Sequence, residues 1–196
     1  MEAADVIDIL TALDDAGVRV WVDGGWGIDA LLGARSRPHA DLDLVIDAGD
    51  VALARGVLAD AGFSTVLRDW LPTALALADD RGRQVDLHPV TPTPDGGGDQ
   101  HLPAGASFHY PAPVAGVIDG RAVRCVFLAR FACSSTPSIG SAMQASLALL
   151  SPQSGVDAAT QVRCHLGYPP TGTDRHDMAL LRERLGVRLP EQYRLA

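Results

Sequence analysis

Hydrophobic residues in the first third of the chain follow helical spacing in some stretches and strand spacing in others. Two amphipathic runs, each followed by a glycine (Gly17 and Gly62), predict helices that end at those glycines. Shorter runs rich in β-branched and aromatic residues predict strands. In order, we predict a helix over 6–13, a strand over 18–22, a short helix over 26–32, a strand over 41–46 and a helix over 51–61.

The remainder of the chain mixes strands and helices, with two long stretches that lack such a pattern. Residues 91–113, rich in Pro, Gly, Asp and His, predict a long loop, which in a compact domain is often functional. Residues 127–160 are rich in Ser and Ala and contain one predicted helix, over 142–150. The other predicted elements are strands over 63–67, 73–78, 83–90, 114–118 and 122–127, a short helix over 161–168, and a last helix that begins at Thr173 or Asp174 and ends at Gly186.

Composition narrows the class of protein. The 196 residues are enough for one domain, or for one domain with a small appendage. Net charge is −8, and all 16 basic residues are Arg. The absence of Lys excludes a Walker A loop, Schiff-base chemistry and a lysine-rich nucleic-acid patch. The acidic balance argues against DNA or RNA as a partner and is compatible with a cationic one.

Neither a membrane span nor a secretory signal is expected. No apolar run reaches the roughly 18 residues that a span needs, and the N-terminus lacks a basic region followed by an apolar one. Cys125, Cys133 and Cys164 are odd in number and lack metal-ligand spacing, which favours reduced thiols in the core. We therefore expect a cytoplasmic protein.

Candidate chemistry begins with the strand over 41–46. Side chains alternate along a strand, so the apolar residues at 42, 44 and 46 share one face, while Asp41 and Asp43 share the other. On the predicted strand over 83–90, Asp86 also alternates with apolar residues, and it shares its face with His88. Three carboxylates can hold two Mg²⁺ ions for phosphoryl or nucleotidyl displacement. Asp86 is also a candidate general base, and His88 is a second one or a substrate contact.

A glycine pair between a strand and a helix start suggests a phosphate-binding turn. Backbone N–H groups at Gly24 and Gly25 can hold phosphate oxygens, helped by the helix dipole and by the absence of a Cβ. The following loop contains Arg37 and His39, which can neutralise a triphosphate, and Arg35, for which a solvated position is favoured.

A competing motif overlaps the glycine pair. Gly25, Gly27 and Ala30 match the dinucleotide fingerprint G-x-G-x-x-A, with Asp47 about 20 residues downstream. We disfavour it because the predicted helix is short for a βαβ crossover and because the motif leaves Asp41 and Asp43 without a role.

Taken together, these motifs resemble a known family. Trp-Val-Asp-Gly-Gly-Trp-Gly-Ile-Asp at 21–29 and Arg-Pro-His-Ala-Asp-Leu-Asp at 37–43 are similar to the antibiotic nucleotidyltransferases, a branch of the DNA polymerase β-like superfamily. Val-Asp-Leu-His-Pro-Val at 85–90 and the segments at 165–168 and 173–177 look more like the lincosamide enzymes than the aminoglycoside 2″-nucleotidyltransferases.

The resemblance implies an α+β fold with a mixed β-sheet flanked by helices and a small helical C-terminal segment. It implies a catalytic domain over 1–126 and a C-terminal segment over 161–196, and the stretch 127–160 departs from the family as an atypical insertion. The implied donor is ATP with Mg²⁺, two ions being expected. The implied reaction is transfer of AMP to an antibiotic hydroxyl by a monomer or homodimer, with Asp41, Asp43 and Asp86 as metal ligands and Gly24 and Gly25 at the triphosphate.

The sequence is compatible with more than one function. A lincosamide acceptor is ranked narrowly ahead of an aminoglycoside, whose positive charge would suit the acidic chain. A protein or tRNA acceptor is a further possibility, although the lack of a basic patch argues against tRNA. A catalytically lapsed or antitoxin-like nucleotide-binding domain is disfavoured because all three carboxylates and both glycines are present.

Overall fold

A computed structural model describes residues 1–126, 170–186, 189 and 193. The chain divides into two units, Met1–Phe127 and Leu128–Ala196. The helices of the first unit are α1 (Ala3–Asp15), α2 (Gly24–Leu32) and α3 (Val51–Asp60). Its strands are β1 (Val20–Asp23), β2 (Asp41–Asp47), β3 (Thr65–Trp70), β4 (Ala74–Ala78), β5 (Gln84–Pro92), β6 (Gly98–His101), β7 (Ser107–Tyr110), β8 (Val114–Ile118) and β9 (Arg121–Cys125).

These nine strands form one mixed sheet in the described part of the chain. The order along the sheet is β3-β4-β5-β2-β1-β9-β8, and β6 extends it by pairing with β5 and β7. β2 is parallel to β5 and β1 is parallel to β9, whereas β1 and β2 are antiparallel. The predicted α+β fold with a mixed sheet and flanking helices is confirmed. The antiparallel pairing of β1 and β2 also excludes a βαβ crossover, and with it the dinucleotide fingerprint.

The core forms on the sheet face that the alternation predicts. Leu42, Leu44 and Ile46 of β2 are fully buried, together with Val85 and Leu87 of β5. They pack with the apolar sides of the first and third helices, in one cluster whose helical members include Val6, Ile9, Leu10, Leu13, Ala54 and Leu58. Burial of these side chains drives the sheet and helices together and leaves the opposite face of β2 and β5 for polar residues.

Three differences from the sequence prediction bear on the site. α2 begins at Gly24 rather than at residue 26, so both glycines belong to its first turn. β3 begins two residues later than expected and continues to Trp70, while Phe63 is buried in the core ahead of it. The prediction of a loop over 91–113 was wrong, because β6 and β7 form a hairpin there. Gly-Asp-Gln-His has low strand propensity, and it becomes a strand through pairing with the end of β5.

In the second unit the structure describes one long helix, α4 (Gly172–Leu185). Thr171 caps it by accepting a hydrogen bond from the Asp174 backbone, and the Asp174 side chain accepts in return from the Thr171 backbone. The cap therefore lies two residues before the earlier of the two expected positions, while the end at Gly186 is confirmed. The predictions for 127–160, for a helix over 161–168, and for Cys133 and Cys164 lie outside the described residues.

Two further expectations concern the described residues. Cys125 is buried in the core, as predicted, and burial raises the pKa of its thiol to about 12. Within 1–126 and 170–186, no helix has both the length and the apolar character that crossing a membrane requires.

Candidate active site

A row of carboxylates crosses three adjacent strands on the polar face of the sheet. Strand register places Asp23 of β1 opposite Asp43 of β2, and Asp43 opposite Asp86 of β5. Residues that face each other across neighbouring strands project to the same side. Asp23, Asp43 and Asp86 are therefore brought together by pairing alone. Asp41 lies two residues before Asp43 on this face, exposed and opposite Gln84.

Asp86 has the most unusual environment in this row. Its Oδ1 is buried and has no hydrogen-bond partner in the described part of the chain, whereas its Oδ2 accepts from Arg68 Nη2 at 2.5 Å. Burial and the neighbouring charge of Asp43 raise the pKa of Asp86, and the Arg68 guanidinium opposes the shift. A buried carboxylate oxygen without a donor is suited to a cation or to the proton of a bound hydroxyl.

The two glycines at the start of α2 allow the chain to approach this row closely. Gly24 has φ +58°, and a Cβ built there would lie 2.0 Å from Asp43 Oδ2. A Cβ at Gly25 would lie 2.3 Å from His39 Nδ1 and 2.9 Å from Arg37 Nη2. A Cβ at Gly24 would displace the Asp43 side chain, and one at Gly25 would displace His39. The first N–H groups of α2, which lack intrahelical acceptors, therefore begin directly beside Asp43.

Of the two predicted loop residues, only Arg37 is partly exposed; His39 is buried. His39 Nε2 lies 2.6 Å from Asp29 Oδ2, and both side chains are almost fully buried. Asp29 also accepts from the Ser36 backbone and hydroxyl, so it fixes the loop against α2. His39 therefore lies beside Gly25 with its Nε2 held by Asp29, and its part in nucleotide binding stays a prediction. Arg35 is exposed, as expected, and forms a surface ion pair with Glu2.

His88 is hydrogen-bonded on both ring nitrogens. Its Nε2 lies 3.3 Å from Asp43 Oδ1, and its Nδ1 lies 3.4 Å from Gln100 Nε2. Burial disfavours the imidazolium, but the hydrogen bond to Asp43 and the nearby charges of Asp43, Asp23 and Asp86 raise the pKa of His88. Gln100 also donates to the Thr73 carbonyl at 2.8 Å, which fixes its amide. His88 is thereby oriented toward Asp43.

Sequence reasoning missed three residues of this site. Asp23 follows the predicted strand over 18–22 and has no predicted role, although its position directly before the glycine pair is a readable signal. Arg68 and Gln100 carried no such signal, because their places depend on a strand irregularity in β3 and on the unexpected strand β6.

The residues fit a divalent cation that is held partly by its substrate. In the described ranges no three His, Cys, Asp or Glu side chains are arranged to bind one ion. Mg²⁺, however, is commonly bound by one or two carboxylates together with substrate phosphates. Asp43 and Asp86, adjacent in register and with the Asp86 Oδ1 unpartnered, supply such a pair next to the N-terminus of α2.

The chain matches the model of one known protein family. The model of the family described as aminoglycoside-2''-adenylyltransferase matches residues 5–181, which is most of the chain. The chain belongs to this family. The match spans the carboxylate row, the glycine pair and the described C-terminal helix as far as Leu181, and the resemblance to antibiotic nucleotidyltransferases is confirmed.

Two groups of curated relatives were found. A lincosamide resistance protein of Staphylococcus haemolyticus is 32% identical over 100 residues, which is 51% of this chain and 62% of that protein. A 2''-aminoglycoside nucleotidyltransferase of Escherichia coli is 50% identical over 36 residues, 18% of this chain and 20% of that protein. The matched region therefore covers less than two thirds of the length of each relative.

Solved structures support the same fold. A lincomycin-bound lincosamide antibiotic adenylyltransferase superposes with a TM-score of 0.67 at 24% identity, over 91% of this chain and 95% of that chain. The antibiotic-resistance factor ANT(2'')-Ia in solution gives a TM-score of 0.51 at 25% identity, over 64% of each chain.

Proposed function

We propose that this protein transfers AMP from ATP to a hydroxyl group of an antibiotic, with release of pyrophosphate and with Mg²⁺ as cofactor. The observation that carries the proposal is the row formed by Asp23, Asp43 and Asp86, which ends beside the glycine pair of α2. This arrangement places oxygen ligands for a cation next to backbone donors for phosphate. Family membership favours an antibiotic as the acceptor.

The triphosphate is assigned to the N-terminus of α2. Gly24 and Gly25 leave room for phosphate oxygens, and the helix dipole favours an anion there. Arg37, whose guanidinium lies beside Gly25, adds positive charge. His39 and Asp29 act below this layer by holding the loop against the helix.

Asp41, Asp43 and Asp86 are the proposed ligands of two Mg²⁺ ions. When bound, the ions would neutralise phosphate charge and make the acceptor hydroxyl more acidic. Asp86 is the proposed acceptor of the hydroxyl proton. The acceptor oxygen then forms a bond to the α-phosphorus of ATP, the bond from that phosphorus to the bridging oxygen breaks, and pyrophosphate leaves. His88, hydrogen-bonded to Asp43, orients that carboxylate.

A lincosamide is the favoured acceptor, because the lincosamide resistance protein aligns over far more of this chain than the aminoglycoside enzyme does. An aminoglycoside is the second candidate. The family model and the net charge of −8 both favour it, since an acidic protein attracts a polycation.

The test is pyrophosphate release from ATP and Mg²⁺ with a panel of lincosamides and aminoglycosides, combined with mass spectrometry of the products. A product heavier by one AMP unit would support the reaction and name the acceptor class. If ATP binds with Mg²⁺ but no drug is modified, the proposal of antibiotic transfer is wrong, and a macromolecular acceptor or a lapsed enzyme takes its place.

A further inference from the structure

A β-bulge in the edge strand β3 determines where Arg68 points. The pairing of β3 with β4 runs Val66 with Leu77 and then Arg68 with Ala76, so Leu67 is the extra residue. Without the bulge, Leu67 would face Ala76 and Arg68 would face Leu75, whose side chain is fully buried in the core. Bulges commonly re-aim side chains next to active sites. Here the bulge moves Arg68 onto the polar face of the sheet.

On that face Arg68 continues the carboxylate row. Ala76 of β4 is paired with Asp86 of β5 on its other side, so Arg68 and Asp86 flank one alanine. The short alanine side chain lets the guanidinium cross above it to Asp86 Oδ2, at 2.5 Å. A larger residue at position 76 would obstruct this contact.

The guanidinium of Arg68 also packs against an aromatic ring. Its central carbon lies 5.6 Å from the centroid of the Trp70 ring, within the range of a cation–π interaction. Trp70 is 62% exposed, an unusual position for a large aromatic side chain, and packing of Arg68 on the ring gives it a role. The Arg68 side chain is itself 44% exposed, so small solutes have access to it.

We propose that Arg68 is a positioning residue for Asp86. It binds Oδ2 and so fixes the orientation of the carboxylate, whose other oxygen, Oδ1, has no hydrogen-bond partner among the described residues. The inference rests on the proposed function, in which Asp86 is a ligand and proton acceptor, and it adds a residue on an edge strand that no functional motif of the sequence contains.

The experiment compares Arg68→Ala, Arg68→Lys and the control Arg55→Ala in AMP transfer. Arg55 also forms an ion pair with a β3 aspartate, Asp69 at 3.8 Å, but it does not contact the carboxylate row. Loss of a supporting partner typically costs about 10–100-fold, so we expect Arg68→Ala to lower kcat by that factor and to leave the KM for ATP nearly unchanged. Arg68→Lys should retain part of the activity, and Arg55→Ala all of it.

Added guanidinium ion separates positioning from general destabilisation. At concentrations too low to unfold the protein, it should restore part of the activity of Arg68→Ala by occupying the vacated place. Wild-type turnover in Arg68→Ala would overturn the proposal, and so would a loss that neither Arg68→Lys nor guanidinium reverses.

A crystal structure of Arg68→Ala supplies a measurement independent of turnover. We expect the Asp86 carboxylate to rotate from its wild-type orientation, and an unchanged orientation would contradict the inference. If the wild-type protein transfers AMP to no antibiotic, the proposed function fails, while the orientation of Asp86 in this variant still decides the role of Arg68.

Discussion

At the scale of single residues, the negative charges of Asp41, Asp43 and Asp86 are the basis of the proposed chemistry. Replacing any one of them by Asn keeps its size but removes charge from the cation site. Metal ions contribute several kcal/mol to transition-state stabilisation, so we expect AMP transfer to fall at least about 10³-fold. Initial rates of pyrophosphate release measure this. Asp8→Asn, on the exposed side of α1, is the matched control, and full activity in Asp43→Asn or Asp86→Asn would refute the mechanism.

Gly24→Ala tests the close approach of α2 to Asp43. The new Cβ would collide with Asp43 Oδ2 and would also strain a residue at φ +58°. We expect loss of most activity in a protein that still folds, as judged by circular dichroism and kcat/KM.

Gly33→Ala is the control for Gly24→Ala. Gly33 has φ +66°, so the backbone strain is similar, but nothing lies within 4 Å of a Cβ there. Equal losses of activity in the two variants would show that backbone strain, rather than the collision with Asp43, causes the effect.

Individual residues also show what the sequence can reveal about a site. Asp43 and Asp86 were predictable because period-two alternation assigns their face, and strand pairing then brings them together. Arg68 was not, because one extra residue in β3 inverts its face and no local pattern signals a bulge there. His39 was predicted to bind nucleotide since a loop histidine near glycines suggests that role, but its partner Asp29 could be identified only from the folded helix.

At the scale of elements, the turn between β4 and β5 is fixed by one carboxylate. Asp79 accepts from the Arg83 backbone at 2.8 Å and from Arg83 Nε at 2.7 Å, and Arg83 Nη1 reaches Asp5 of α1 at 2.5 Å. Burial opposes ionisation of Asp79, but these hydrogen bonds and the Arg83 charge outweigh it and lower its pKa. The turn and the first helix are thereby joined through one arginine.

The lowered pKa of Asp79 predicts a pH-dependent stability. A depressed folded-state pKa gives stability above the unfolded value, about 3.9, which is lost as the pH falls through the folded value. Asp79→Asn should therefore lower Tm at pH 7, and the difference from wild type should shrink below about pH 4. Thermal melts across this range measure it, with the exposed neighbour variant Asp80→Asn as control. A difference that is independent of pH would contradict the assignment.

The loop between α2 and β2 depends on the buried pair Asp29 and His39. His39→Ala leaves a buried carboxylate with fewer partners, which costs about 1–3 kcal/mol. We expect a lower urea midpoint and a raised KM for ATP, because the loop supports Gly25 and Arg37. Urea unfolding and steady-state kinetics test both effects. If His39→Ala is destabilised but its KM for ATP is unchanged, the pair of Asp29 and His39 contributes to stability alone.

Elements also show why part of the fold escaped prediction. β2 and β5 were recognised because their buried residues alternate with polar ones. β6 was not, since Gly98, Asp99, Gln100 and His101 form a strand only through their neighbours in the sheet. That strand supplies Gln100, so missing the element also meant missing the residue that orients His88.

At the scale of the whole molecule, the family was readable from sequence, whereas the acceptor was not. The glycine pair and the carboxylates are local motifs, and they determine the donor side of the proposed reaction. Acceptor choice depends on surfaces assembled from separate parts of the chain, which no local motif encodes. The same proposed chemistry is compatible with a lincosamide or an aminoglycoside, which is why products must be identified directly.

The most direct test of the central claim is a crystal structure with Mn²⁺ and a non-hydrolysable ATP analogue, using anomalous scattering to locate the metal. We predict a metal peak within coordination distance, about 2.0–2.3 Å, of carboxylate oxygens of Asp43 and Asp86, with the triphosphate at the N-terminus of α2. A nucleotide bound elsewhere, or a metal that touches neither carboxylate, would contradict the account.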